Sequence, residues 1–304
     1  MYRLKHLVYG SALLLLSSCS DPLILADIEQ KYSSPASRRV PVMGMNVHYR
    51  DEGEGPIVLL LHGTGSSLHT WDAWNAELKE RFRLIRLDLP GCGLTGPRPD
   101  GAYEVEDDVA FLKNFLSQLG IRQAHWVGSS LGGRIAWEYS LRYSNQVSSL
   151  TLINALGYPQ AQWPPAIQLA RYPIIDTLMA RFLPKAVFKT SLRDIYDQSF
   201  SIDDALVDRY YELAHLLGNL QAFTDRVKAR LDRDSARVSD IKRPTLVIWG
   251  ESDRYFPVAS AYRFHKDIAG SQLVIFPGVG HLPMEEAPIA SANAFRDFIL
   301  TNSL

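Results

Sequence analysis

The chain has 304 residues, 46% hydrophobic and 21% charged, and its 32 Lys and Arg against 33 Asp and Glu leave a net charge of −1. Such a length supports a full hydrophobic core, and nothing in such a balance suggests nucleic acid or an anionic surface as partner. Two cysteines, Cys19 and Cys92, are too few for a disulfide framework or a cysteine-built metal site.

In chain order, Arg3 and Lys5 precede an apolar run over residues 7–16, too short to span a bilayer as a helix. The run ends in Leu16-Ser17-Ser18-Cys19. This resembles the bacterial lipoprotein signal, in which small residues precede a cysteine that is lipidated and becomes the new N-terminus. The resemblance implies a signal peptide over 1–18, acyl chains such as palmitate on Cys19, and a membrane as partner through that anchor. Ser20 follows the cysteine, which resembles the outer-membrane sorting pattern and implies the bacterial cell envelope, on the periplasmic or surface side. Residues 19–39 lack clear periodicity, contain Pro22, Pro35 and several serines, and read as a tether.

The folded part is expected from residue 40. Residues 40–49 alternate about Gly44 as a hairpin does. Residues 57–61 form a continuous apolar run, the mark of a strand covered on both faces, and lead into His62-Gly63-Thr64-Gly65. An amphipathic helix over 68–78 follows, then a strand over 83–87 and a helix over 105–119 with Val109, Leu112, Leu116 and Leu119 on one side. A strand over 124–127 and a helix from Leu131 flank Gly128-Ser129-Ser130-Leu131-Gly132. Further strands fall at 149–153, 245–249 and 272–276, with helices over 258–268 and 289–300. Alternating strands and helices predict a mainly parallel sheet with helices on both faces. Residues 156–240 break the rhythm. They show no strand pattern, place Ile167, Ile174, Leu178 and Phe182 at helical spacing, and are punctuated by Pro164, Pro165, Pro173 and Pro184. They read as a helical cap inserted between two halves of a core, 40–155 and 241–304.

The glycine-flanked Ser130 fits G-x-S-x-G, a sharp strand-to-helix turn that lifts one serine into the open at a helix N-terminus. The glycines are expected because strand and helix backbones approach too closely for a Cβ. A serine needs a base to take its proton and an acid to orient that base, in the chain order serine, acid, histidine. Asp253 lies past the strand ending at 249, and His281 lies in a glycine-flanked loop past the strand ending at 276. Both therefore sit at the carboxyl ends of parallel strands, where ligand sites of such sheets form. Glu251 competes with Asp253 for the acid, and His265 and His215 compete with His281. Asn154 falls in a comparable place, but an amide cannot balance an imidazolium. Oxyanion donors are expected at the N–H groups of Thr64 and Leu131, with His62 bracing the loop. Gly91-Cys92-Gly93-Leu94-Thr95-Gly96 matches a dinucleotide fingerprint, but Pro97 and Pro99 follow where a helix must open, so no cofactor is expected.

Leu61-His62-Gly63, Gly128-Ser129-Ser130-Leu131-Gly132, Gly250-Glu251-Ser252-Asp253 and Gly280-His281-Leu282-Pro283-Met284-Glu285-Glu286 occur in order over about residues 40–302. Together they resemble an α/β-hydrolase-fold serine hydrolase with a helical cap, the group of bacterial lipases, carboxylesterases, lactonases and carbon–carbon bond hydrolases. The resemblance implies a carboxylesterase or lipase acting on small-molecule ester or acyl substrates through an acyl-enzyme, with no cofactor or metal. Ser130 occupies the place of the aspartate of haloalkane dehalogenases and epoxide hydrolases and argues against both. Ring-cleavage-product hydrolases usually carry a tryptophan shortly after the histidine, where Met284 and Glu285 stand here. A lactonase or carbon–carbon hydrolase would need a cation for its substrate carboxylate, with Arg171, Arg181 and Arg193 as candidates. A non-catalytic lipoprotein scaffold is the remaining alternative.

Overall fold

A computed structural model describes residues 22–159, 163, 165–181, 183–216, 218–229 and 235–302. The signal over 1–18 and Cys19 lie outside the described residues, as do Pro164 and Phe182.

The hairpin is β1 (Ser37–Val42) and β2 (Met45–Glu52), paired antiparallel. Its two-residue turn, Met43 and Gly44, has positive φ at both positions (49° and 78°), the geometry that matches strand twist in tight hairpins. Six strands follow: β3 (Ile57–Leu61), β4 (Arg83–Leu87), β5 (Ala124–Ser129), β6 (Val147–Ile153), β7 (Thr245–Gly250) and β8 (Gln272–Phe276). The sheet has eight strands in the order β1-β2-β4-β3-β5-β6-β7-β8, and every pair from β4 to β8 is parallel. β2 meets β4 antiparallel. Parallel strands buried on both faces explain why β3 and β7 read as unbroken apolar runs.

One face of the sheet packs on α3 (Val105–Gln118), α4 (Leu131–Arg142) and α10 (Ala259–Asp267) through Phe111, Phe115, Trp137 and Phe264. The other packs on α2 (Asp72–Leu78) and α12 (Pro288–Asn302) through Trp74, Phe82, Phe295 and Phe298. The expected helix over 68–78 is a 3₁₀ turn, Leu68–Trp71, continuing into α2. Between β6 and β7 the described residues form five helices, α5 (Pro165–Leu169), α6 (Ile175–Met179), α7 (Lys185–Ile195), α8 (Asp204–Ala214) and α9 (Asn219–Lys228), and a 3₁₀ turn, with no strand among them. Arg226 on α9 pairs with Asp108 on α3 and donates to the Pro90 carbonyl at 2.9 Å, tying cap to core through a buried ion pair.

The tether assignment needs correction. Residues Pro22–Tyr32 form a helix, α1, and β1 already begins at Ser37. Ile28 and Tyr32, four residues apart, pack on Leu94, Leu213 and Leu216, and the Tyr32 hydroxyl donates to Glu212 on α8 at 2.6 Å. Among the described side chains of α1 that pair, four residues apart, is the one that faces inward, too short a pattern to betray a helix in sequence. Among the described residues no helix is long and apolar enough to cross a membrane.

Candidate active site

Ser130 sits between β5 and α4, half-buried, with φ 54° and ψ −116°. A non-glycine residue holds such angles only when its surroundings over-determine them. They do so here. Ser130 N–H donates to the Ile153 carbonyl at 3.0 Å, and its own carbonyl accepts from Arg134 N–H and Leu156 N–H at 3.2 and 3.1 Å. The glycines permit the turn: a Cβ on Gly128 would lie 2.2 Å from the Gly132 carbonyl oxygen, and one on Gly132 would lie 2.3 Å from that of Leu61. The reason inferred from sequence for those glycines is therefore the reason in space.

His281 is buried, and its Nδ1–H donates to Asp253 Oδ2 at 2.8 Å. A carboxylate only accepts, so this bond places the proton on Nδ1 and leaves the lone pair on Nε2. The other Asp253 oxygen accepts from Tyr255 N–H at 2.7 Å and Phe256 N–H at 3.0 Å. The rings of Tyr255 and Phe256 stand 5.4 and 5.2 Å from the imidazole and shield it from water. The competitors do not reach this place. Glu251 points to solvent, His265 bonds Ser271, and His215 bonds the Tyr211 carbonyl within α8.

The positioning roles of two residues, Asn154 and Glu286, escaped the sequence reading, which weighed Asn154 only as a rival acid. Asn154, at φ 41°, donates to Asp253 Oδ2 at 2.6 Å and accepts from Gly250 N–H at 3.1 Å. It braces the acid rather than replacing it. Glu286 holds the histidine loop: one carboxylate oxygen accepts from Gly280 N–H at 2.9 Å and Asp197 N–H at 2.8 Å, the other from Leu282 N–H at 3.1 Å. Burial raises its pKa above the usual carboxylate range, although those three bonds pull it down. The His281 N–H donates to the Ile195 carbonyl at 2.8 Å, so core and cap share the loop. The only sequence signal was a second acid five residues after the histidine, and nothing in spacing says that it folds back onto backbone amides.

Thr64 and Leu131 line the same cavity as Ser130 and His281. His62 is fully buried, accepts from Leu89 N–H at 3.0 Å and donates to the Gly63 carbonyl at 2.7 Å, which fixes the loop before Thr64. Burial lowers its pKa, keeping the ring neutral for both bonds. Asp88 accepts from Leu68 N–H, Leu94 N–H and His48, and a Cβ on Gly93 would meet that carboxylate at 2.2 Å. The glycine-rich stretch 91–96 is thus a turn wrapped around Asp88 with no helix behind it, as the prolines foretold. Cys92 is buried there and burial pushes its thiol up to about 11, which leaves it protonated and unreactive at neutral pH.

The cavity holds about 160 Å³ and is walled chiefly by apolar side chains from both core and cap, among them Ile167, Phe188, Leu192 and Phe223. Among the described residues no Lys or Arg lines it, and Arg171, Arg181 and Arg193 are all exposed.

A hydrolase built on a mainly parallel sheet, with its chemistry at the strand ends beneath a helical cap, is the class this fold and site define. The chain belongs to the α/β-hydrolase-fold family, whose sequence model matches residues 56–288. It is similar to the uncharacterized hydrolase YugF of Bacillus subtilis, 30% identical over 267 residues, 86% of this chain and 97% of YugF. It is also similar to the Escherichia coli 2-hydroxy-6-oxononadienedioate/2-hydroxy-6-oxononatrienedioate hydrolase, 28% identical over 270 residues, 84% of this chain and 90% of the relative. Among solved structures, a membrane phospholipase A described as a bacterial virulence factor superposes with a TM-score of 0.75 at 27% identity, over 92% of each chain.

Proposed function

We propose that this hydrolase cleaves carboxylic esters through an acyl-enzyme, with apolar acyl groups seated under the cap. The carrying observation is the Asp253–His281 hydrogen bond beside a strained, half-exposed Ser130 in an apolar cavity. In this reading the Ser130 hydroxyl attacks the ester carbonyl while His281 Nε2 takes its proton. Asp253 keeps the imidazole in the required tautomer and balances the imidazolium. The N–H groups of Thr64 and Leu131 hold the oxyanion, each worth about 3 kcal/mol of barrier. His281 then protonates the departing alcohol, and water, deprotonated by the same ring, releases the acid. The likeness to a membrane phospholipase A supports a lipidic ester as substrate. The lipoprotein-like residues 1–19 support acylation of Cys19 and a place in the bacterial cell envelope.

Lactone or carbon–carbon cleavage is the second reading, favoured by the likeness to the E. coli ring-cleavage hydrolase. Met284 and Glu285, standing where ring-cleavage hydrolases usually carry a tryptophan after the histidine, weigh against carbon–carbon cleavage. The absence of a cation among the described cavity residues supports the ester. Purified protein and Ser130→Ala tested on p-nitrophenyl esters of graded chain length, a lactone and a vinylogous keto acid decide between them. Turnover of the keto acid with no turnover of any ester overturns the ester assignment.

A further inference from the structure

Eight large hydrophobic side chains stand exposed among the described residues, and four of them, Leu169, Tyr172, Ile174 and Leu178, fall within ten consecutive positions of the cap. Ile174 and Leu178 are 79% and 62% exposed. They lie four apart and so share one face of α6 and its lead-in. The adjacent face is also apolar: Ile175 and Met179 pack with Val227 and Phe223. Thr177 is the exposed polar residue of this short helix, and beside it Ile174 and Leu178 leave an apolar patch, which on a folded protein marks something that covers it. The same stretch walls the cavity, since Ile167 and Leu183, at its two ends, line it. The patch is therefore the outside of the wall whose inside touches the acyl site.

We propose that this cap face lies in the surface of an anionic phospholipid bilayer, and that the protein draws its substrate from that layer. Two further observations select a lipid surface over a protein. First, Arg171 and Arg181 flank the patch, exposed and without an ion-pair partner among the described residues, while Asp176, the acid between them, is bound to Lys228. Cations beside apolar side chains suit the headgroup boundary, where the stems lie in the apolar layer and the charges meet phosphate. Second, residues 1–21 precede α1, and α1 is held against cap helix α8 by the Tyr32–Glu212 and Lys31–Glu212 bonds. An N-terminus fastened to a membrane would deliver the cap to that membrane.

The docking claim stands on the exposed patch and its flanking arginines, delivery by the N-terminus rests on the proposed acylation of Cys19, and the substrate arm rests on the ester reading. The full chain is placed in phosphatidylglycerol-containing vesicles at low protein-to-lipid ratio. An environment-sensitive fluorophore is attached at Ile174→Cys, at Leu178→Cys, or at Tyr262→Cys as an exposed control on the core. Quenching by spin-labelled lipid at 174 and 178, with none at 262, is the expected result. Equal quenching at all three, or none at 174 and 178, overturns docking, as does quenching protection that appears only when the protein is crowded, which would assign the face to a second copy. Ile174→Asp with Leu178→Asp is expected to lower hydrolysis of vesicle phospholipid by about tenfold or more, since one such side chain is worth about that much in partition. Its turnover of a soluble short-chain ester is expected to stay at the parent level. Site-selective quenching without turnover of either ester leaves docking standing and removes the ester reading.

Discussion

Glu286→Ala tests whether a carboxylate remote from the reacting atoms sets the position of the base. The carboxylate receives three backbone N–H groups, those on either side of His281 and that of Asp197 in the cap. Hydrogen bonds to a charged acceptor are worth about 1.5–3 kcal/mol each, but they share one acceptor whose burial is itself unfavourable. A net loss of about 2–4 kcal/mol of stability follows for the alanine variant. Glu286→Gln behaves differently. Its remaining oxygen can take the Gly280 and Asp197 amides, its NH₂ group faces the Leu282 amide donor to donor, and the cost of burying a charge disappears. Its stability should thus stay within about 1 kcal/mol of the parent. Its activity should not, because displacing His281 by about 1 Å costs about a hundredfold in kcat. Thermal unfolding and the kcat and KM of a soluble ester measure the two effects separately. A Gln variant that loses stability and rate together, or an Ala variant with parent kcat, would refute the positioning role.

Asp253→Asn should keep the fold and lower kcat by about 10³–10⁴, because an amide N–H facing His281 Nδ1 moves the ring proton to Nε2; a parent-like rate, or full recovery on raising the pH, would count against the orienting role. Arg226→Ala should cost about 3–5 kcal/mol in denaturant unfolding, since it strands the buried Asp108 charge, while Arg226→Ala combined with Asp108→Asn should recover part of that loss. Stability should fall with acid. Burial lowers the pKa of His62, and lowers that of His69 to about 4. The unfolded chain then binds more protons than the folded one below about pH 6.5, so stability present at neutral pH is lost as pH falls below it, at about 1.4 kcal/mol per unit for His69 down to about 4, with His62 acting in the same direction. A melting temperature independent of pH across that window would show that neither ring is held neutral.

Much of this protein was determined by local sequence. Strand β3 reads as five apolar residues in a row because it is covered on both faces, and β8 coincides with its expected bounds. Ser130 could be singled out because a sharp elbow demands Gly128 and Gly132, a demand that the 2.2 and 2.3 Å approaches make quantitative. Spacing past β7 already favoured Asp253 over Glu251, two residues apart, and the structure turns Asp253 toward His281 and Glu251 toward solvent. Only the tertiary structure decided the rest. It made α1 out of a stretch that looked like a tether, because its inward pair has partners only once α8 is in place. It gave Asn154 and Glu286 their roles through bonds to residues 99 and at most 89 positions away. Periodicity and turn chemistry act over a few neighbouring residues and survive in the sequence. A hydrogen bond between distant segments leaves no such trace, since any acceptor at the same point in space would serve.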